Sequence, residues 1–194
     1  MTPVQARALM HEWTPSLALR VHMESVAACM AAYAAKLEPI QADRWLVCGL
    51  LHDFDYERYP NAAHSPTEEH PSAGVRHLRA LGVDEEILTA ILGHAIYCNT
   101  PRTTPMAKAL FAVDELAGFI VACSKVRPDG LASLEPKSVK KKLKDKSFAA
   151  AVSREDIAIG LAELGPLAGH PEPATFEPIH IQTCIEALRG AALA

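Results

Sequence analysis

The chain has 194 residues, enough for one domain with a core of its own. At 49% hydrophobic residues it is not a disordered polymer, and a net charge of −4 carries no basic excess of the kind that duplex nucleic acid attracts. Five scattered cysteines, Cys29, Cys48, Cys98, Cys123 and Cys184, include no C-x-x-C pair, which argues against a cysteine zinc site and fits small core residues in a reducing cytoplasm.

Taken in chain order, the opening MTPVQARALMHEW lacks the apolar centre of a secretory leader. No later apolar run approaches the ~18 residues of a membrane span. The expectation is a cytoplasmic protein with no membrane partner. Apolar residues recur at helical spacing and alternating strand patterns are nearly absent, so the chain reads as all-α. A first long helix is predicted over about 16–37, with Leu19, Val26, Cys29 and Tyr33 on the face that carries His22. A second, over about 41–52, bears Trp45, Leu46, Cys48, Leu50 and Leu51 and ends at His52-Asp53. The polar connector FDYERYPNAAHSPTEE follows, its Pro and Asn breaking the periodicity. A third helix is expected from His70-Pro71 to the Leu81-Gly82 stop, and a fourth over about 84–97. A fifth starts at the Thr104-Pro105 cap and runs to about Cys123. Beyond Pro128-Asp129-Gly130 the composition shifts. Residues 125–146 hold eight Lys/Arg against three acids, about +5, leaving about −9 for the remainder. A short basic helix over 136–146 and helices near 153–164 and 178–192 close the chain.

LLHDFD at 50–55 puts an imidazole beside a carboxylate at the end of an apolar helix. Alone the pair is weak. His22 lies in the apolar seam of the first helix and Asp114 in the seam of KALFAVDELAGFIV, flanked by Leu110, Phe111, Ala117, Gly118 and Val121. A carboxylate buried on that seam needs a cation or strong donors, and Ala117 and Gly118 leave room for an ion. Singly, His22 reads as a satisfied core histidine and Asp114 as an ion pair or cap. Together with His52-Asp53 they read as metal ligands.

The order H…HD…D, as His22, His52-Asp53 and Asp114, resembles the HD-domain superfamily of metal-dependent phosphohydrolases. The resemblance covers about residues 16–124. It implies one HD domain over 1–194, a helical bundle with a five-helix core and a C-terminal helical extension over 125–194. His70 and His94 fall between the HD pair and Asp114, and H…HD…H…H…D resembles the dinuclear branch of the family. That likeness implies a first ion on His22, His52, Asp53 and Asp114, and a second on His70 and His94. Asp53 would be the bridging, catalytic carboxylate that orients a hydroxide. The bland alternatives are a solvated helix-start residue for His70 and a core histidine for His94. His64, in the same connector, is a substitute for His70. His11, His77, His170 and His180 read as surface residues. Many relatives that act on cyclic dinucleotides carry Gly-Lys where this chain has Asp55 and Tyr56, which turns the reading away from such substrates. Asp55 and Glu57 read as solvated loop residues in preference to partners of the site.

Imidazole and carboxylate ligands suit one or two divalent ions, Fe, Mn, Co, Ni or Zn, with Mg admissible. Two dications against Asp53 and Asp114 leave about +2, which favours a small phosphorylated substrate such as a nucleotide. Lys108, Arg102, Lys125 and Arg127 are candidate contacts to its phosphate oxygens, with Lys108 equally a solvated lysine. KSVKKKLKDKSF reads as a basic helix face in preference to a flap over the pocket, and is too short to imply duplex DNA. Two other readings stay open. One is a nucleotide- or metal-binding module without turnover, and the other a di-iron oxygenase on the same ligands. The sequence is silent on oligomeric state.

Overall fold

The computed structural model describes residues 1–192. Among them there are nine α-helices and no strand: α1 Pro3–Trp13, α2 Leu17–Leu37, α3 Ala42–Leu51, α4 Ser72–Ala80, α5 Glu85–His94, α6 Pro105–Lys125, α7 Pro136–Leu143, α8 Arg154–Leu164 and α9 Pro173–Gly190. The all-α expectation therefore stands, and no described helix is long and apolar enough to cross a membrane.

Local chemistry explains most of the starts. Thr2 and Gln5 form a reciprocal capping box ahead of α1, a helix that the periodicity reading passes over. Ser16, Thr104 and Ser153 each accept the N3 backbone N–H of the helix that follows, opening α2, α6 and α8. Helix α5 ends at His94, short of the predicted residue 97, and a 3₁₀ turn over Ile96–Cys98 replaces its last turn. Helix α9 starts at Pro173, five residues before the expected position, because Pro173 fits a first turn and the helix tolerates Pro178 within it.

The two long helices α2 and α6 run through the centre of the molecule. Helix α2 packs on α3, α6 and α9, and α6 packs on α5 and α8. The α2–α3 crossing is close enough to exclude any side chain at Gly49, where a Cβ would stand 2.6 Å from the Cα of Ala27. That contact fixes where the end of α3 faces α2, and so where His52 faces His22. One contiguous apolar core includes Met23, Met30, Trp45 and Phe119, and extends without a break to Leu161, Phe176, Ile185 and Leu188 of the C-terminal helices. Four of the five cysteines are buried as core residues and Cys98 is half-buried.

His180 corrects the surface reading. It is fully buried on α9, its Nε2–H donating to the carbonyl of Ala112 at 3.0 Å while Nδ1 meets the hydroxyl of Tyr33 at 2.5 Å. Of the other histidines read as surface residues, His11 is exposed, His77 packs on Trp13, and His170 stacks on Phe176.

Candidate metal centre

Five segments bring their polar groups to one point: His22 from the second turn of α2, His52 and Asp53 just past the end of α3, His70 just before α4, His94 at the end of α5, and Asp114 from the middle of α6. They form two triads. One donor atom from each of His22, His52 and Asp114 lies within 4.8 Å of the other two, and the same holds for Asp53, His70 and His94. His22 Nε2 is 3.0 Å and His52 Nε2 3.3 Å from Asp114 Oδ1. In the other triad, His70 Nε2 and His94 Nε2 are 3.2 and 3.4 Å from Asp53 Oδ1. The second oxygen of Asp53 turns the opposite way, with Oδ2 3.6 Å from His22 Nε2 and 3.5 Å from His52 Nε2. One carboxylate thus addresses both triads, one oxygen to each. Gly118 sits beside this group, and a Cβ there would stand 3.5 Å from His22 Nδ1.

The far nitrogens of three rings are tied to acceptors. His52 Nδ1 donates to the carbonyl of Gly49 at 2.8 Å, His94 Nδ1 to the carbonyl of Ile91, and His70 Nδ1 to Asp55 Oδ1 at 2.7 Å. A proton on each Nδ1 leaves Nε2 of the neutral ring as a lone pair aimed inward. The inward nitrogens then face each other, His22 to His52 and His70 to His94, both at 3.2 Å. Convergent lone pairs among carboxylate oxygens repel unless a cation or added protons lie between them, so the donor set fits divalent metal.

Electrostatics show the same demand. Burial works against ionised Asp53, but His52, His70 and His94 outweigh it and hold the carboxyl well below its usual range. Asp114 behaves alike, burial being overcome by His52 and His22. Burial opposes the charged form of His52, yet Asp53 and Asp114 push it up to about 9. His70 is pushed up to about 10, burial again being outweighed by Asp53 and Asp55.

Asp55 is not the solvated loop residue expected. It is 1% exposed, accepting from His70 through Oδ1 and from the backbone N–H of Gly74 through Oδ2 at 2.6 Å. A Cβ at Gly74 would stand 2.5 Å from its Cγ, so glycine there is what lets the carboxylate reach the backbone. Tyr97, for which the sequence carries no motif, donates its hydroxyl to the carbonyl of His70 at 2.6 Å. Glu57, by contrast, is exposed and accepts from the N–H of Ser16. His64 is exposed and stacked on Tyr97 with ring centroids 4.9 Å apart, beside the cavity but outside both triads.

A cavity of about 550 Å³ opens over the two triads, walled by Tyr56, Asn61, His64, Ile96, Tyr97, Phe111, Glu115 and Asp156. Burial, followed by the charge of Asp114, pushes Glu115 up to about 7. Among the described residues no Lys or Arg lines this cavity, so the four cations expected at a phosphate do not meet there. Arg102 is spent on Glu163, with N···O distances of 2.8 and 2.6 Å, on the carbonyl of Gly93, and on the ring of Phe111, 3.7 Å beneath its guanidinium. Lys108 is half-buried away from the cavity and Lys125 is exposed at the end of α6. Arg127 lines a different cavity.

Compared with known families, the HD domain matches residues 20–118. No curated protein and no solved structure matches the chain.

Proposed function

The chain belongs to the HD-domain family, a superfamily of metal-dependent phosphohydrolases, and from that premise we propose that it hydrolyses a nucleotide or another small phosphate ester. The single observation that carries the reading is Asp53, whose two oxygens face two separate His/Asp triads. His22, His52 and Asp114 would hold one divalent ion, His70 and His94 a second, with Asp53 shared. Such ions supply Lewis-acid polarisation of a phosphoryl oxygen and a more acidic water.

The remaining chemistry belongs to the chain. Gly49, Ile91 and Asp55 keep the Nδ1 protons of three histidines in place, which fixes both tautomer and ring direction. Tyr97 anchors the backbone that carries His70. Tyr56, Ile96, Tyr97 and Phe111 give the cavity aromatic and apolar walls that suit a base or other flat group. A cavity without Lys or Arg among its described lining leaves neutralisation of the substrate to the ions alone. With Glu115 and Asp156 also present, that supports a substrate bearing one phosphoryl group over a polyphosphate chain.

The test is release of inorganic phosphate from a panel of nucleoside monophosphates and sugar phosphates, before and after chelation and on adding back single metals. Activity should vanish on chelation and fall at least ~10³-fold in the double variant His52→Ala/Asp53→Ala. Turnover that survives both treatments overturns the proposal.

A further inference from the structure

A second cavity, of about 440 Å³, opens where the end of α6 meets α7, and it shares no lining residue with the cavity over the triads. Its lining combines three cations, Arg127, Lys141 and Lys142, and one carboxylate, Asp145, with the apolar side chains of Val126 and Leu134.

Nearby charges are mostly committed, and Lys141 and Lys142 are not. Lys137 pairs with Glu135 at 2.9 Å and Lys140 with Glu177, whereas among the described residues Lys141 and Lys142 form no ion pair. Lys142 lies over the ring of Phe148, Nζ 4.5 Å from its centre. Asp145 is occupied by its own turn, Oδ1 accepting from the Ser147 hydroxyl at 2.6 Å and from the N–H groups of Ser147 and Phe148 at 3.1 and 3.3 Å.

Arg127 is under-used. Its Nη2 donates to Ser133 Oγ at 2.5 Å, but its Nε is buried with no hydrogen-bond partner. Asp129 Oδ1 lies 3.4 Å from that Nε, near enough to attract the charge without forming the bond. The other unpartnered buried donor, Arg154 Nε, belongs to a guanidinium whose Nη1 and Nη2 already donate to the carbonyls of Asp145, Phe148, Ala149 and Val152. Arg127 Nε is sealed from solvent, so the end of the fork left for an incoming oxygen is Nη1, which makes no hydrogen bond among the described residues.

We infer that this cavity is an anion site for a small phosphate monoester with an apolar body. Three cations against two carboxylates, Asp145 occupied by its own turn and Asp129 beside Arg127, leave a positive balance that selects an oxyanion. The planar guanidinium fork with two mobile ammonium groups suits the several oxygens of a phosphate. The apolar wall of Val126 and Leu134 takes the remainder of the molecule, and the volume lies within the roughly 300–1,000 Å³ of small-molecule pockets. The segment from residue 125 to 146, about +5 in an otherwise acidic chain, adds a field that draws such an anion to this face.

The test is residue-resolved NMR titration of the protein with inorganic phosphate and with phenylphosphonate, which has no ester to hydrolyse. Saturable shifts are expected at the amides of residues 126–142, with phenylphosphonate the tighter ligand. Lys141 is exposed, so Lys141→Glu keeps the fold and should weaken both ligands by about tenfold or more, the size of one lost charge-assisted bond. Lys142→Gln should do the same in smaller measure. Shifts confined to the residues around His52 and Asp114, or titrations unchanged in Lys141→Glu, overturn the inference. So does sedimentation with vesicles of phosphatidic acid and phosphatidylcholine without saturable phosphate binding, because it would make the face a lipid-headgroup surface.

Discussion

Asp55 bears on the metal centre only through His70. It holds the His70 ring by Nδ1, and Gly74 holds it in turn through the backbone. Replacing it with alanine leaves both donors without an acceptor in a buried place. On the proposed metal reading, Asp55→Ala should weaken an ion held by Asp53, His70 and His94 by about 10–100-fold and leave one held by His22, His52 and Asp114 in place. Competition against a chromophoric chelator reads this directly, and two unchanged affinities would remove Asp55 from that role. His180 offers a second residue-scale prediction, far from the triads. Burial depresses its pKa from 6.5 to about 4. Above pH 6.5 the ring is neutral folded and unfolded, and nothing is lost. Between 6.5 and about 4 the unfolded chain takes up the proton and the folded chain does not, so stability falls with falling pH by up to about 3 kcal/mol. His180→Gln removes that contribution, and the stability gap between wild type and variant, followed by chemical denaturation, should narrow from pH 6.5 to 4. These residues also mark what sequence can tell. His22, His52-Asp53 and Asp114 stand out because polar groups interrupt apolar seams. Asp55 sits in a polar connector, where nothing in one dimension separates a buried carboxylate from a solvated one. His180 interrupts an apolar face just as His22 does, and only its partners Tyr33 and Ala112 tell the two apart.

Helices meet at distances their smallest residues allow. At the α2–α3 crossing, a Cβ on Gly49 would stand 2.6 and 2.8 Å from backbone atoms of Ala27, which cannot rotate away as a side chain could. Gly49→Ala should cost about 1–3 kcal/mol, toward the upper end because backbone must shift. Urea denaturation should show a lower midpoint at constant m-value. An unchanged midpoint would mean that the crossing is looser than its geometry. Most helices could be read from periodicity and caps, and the errors have physical causes. Helix α1 begins with the Thr2/Gln5 box and Pro3 but is short and half polar, so its apolar face is faint. The end of α5 gives way to a 3₁₀ turn that closes at Asn99 with positive φ, a backbone choice that the apolar pattern of 84–97 does not record.

On the scale of the molecule, the HD match ends at residue 118 while the apolar core continues through α8 and α9. Ile157, Leu161, Phe176 and Ile185 are buried in the same cluster as Trp45 and Phe119. Calorimetry should therefore show one cooperative unfolding transition, and limited proteolysis should yield no stable fragment ending near residue 124. Two resolved transitions would instead make the extension a unit of its own. The sequence reads KSVKKKLKDKSF as a basic helix face in preference to a flap, and folding puts Ser138, Lys141, Lys142 and Asp145 on a cavity other than the one over the triads, a placement set by three-dimensional packing that charge counting does not contain.

One His/Asp triad and the walls of the main cavity stand on different kinds of structure. His22, His52, Asp53 and Asp114 ride on or beside helices locked at a glycine-tight crossing, whereas Tyr56, Asn61 and His64 belong to the irregular connector and Ile96 and Tyr97 to a short 3₁₀ turn. Mutational drift can rework that connector and turn without disturbing the crossing. A laboratory library that randomises Tyr56, Asn61 and Ile96 would vary what the cavity admits while leaving His22, His52 and Asp114 in place, so this architecture is a starting material for diversification.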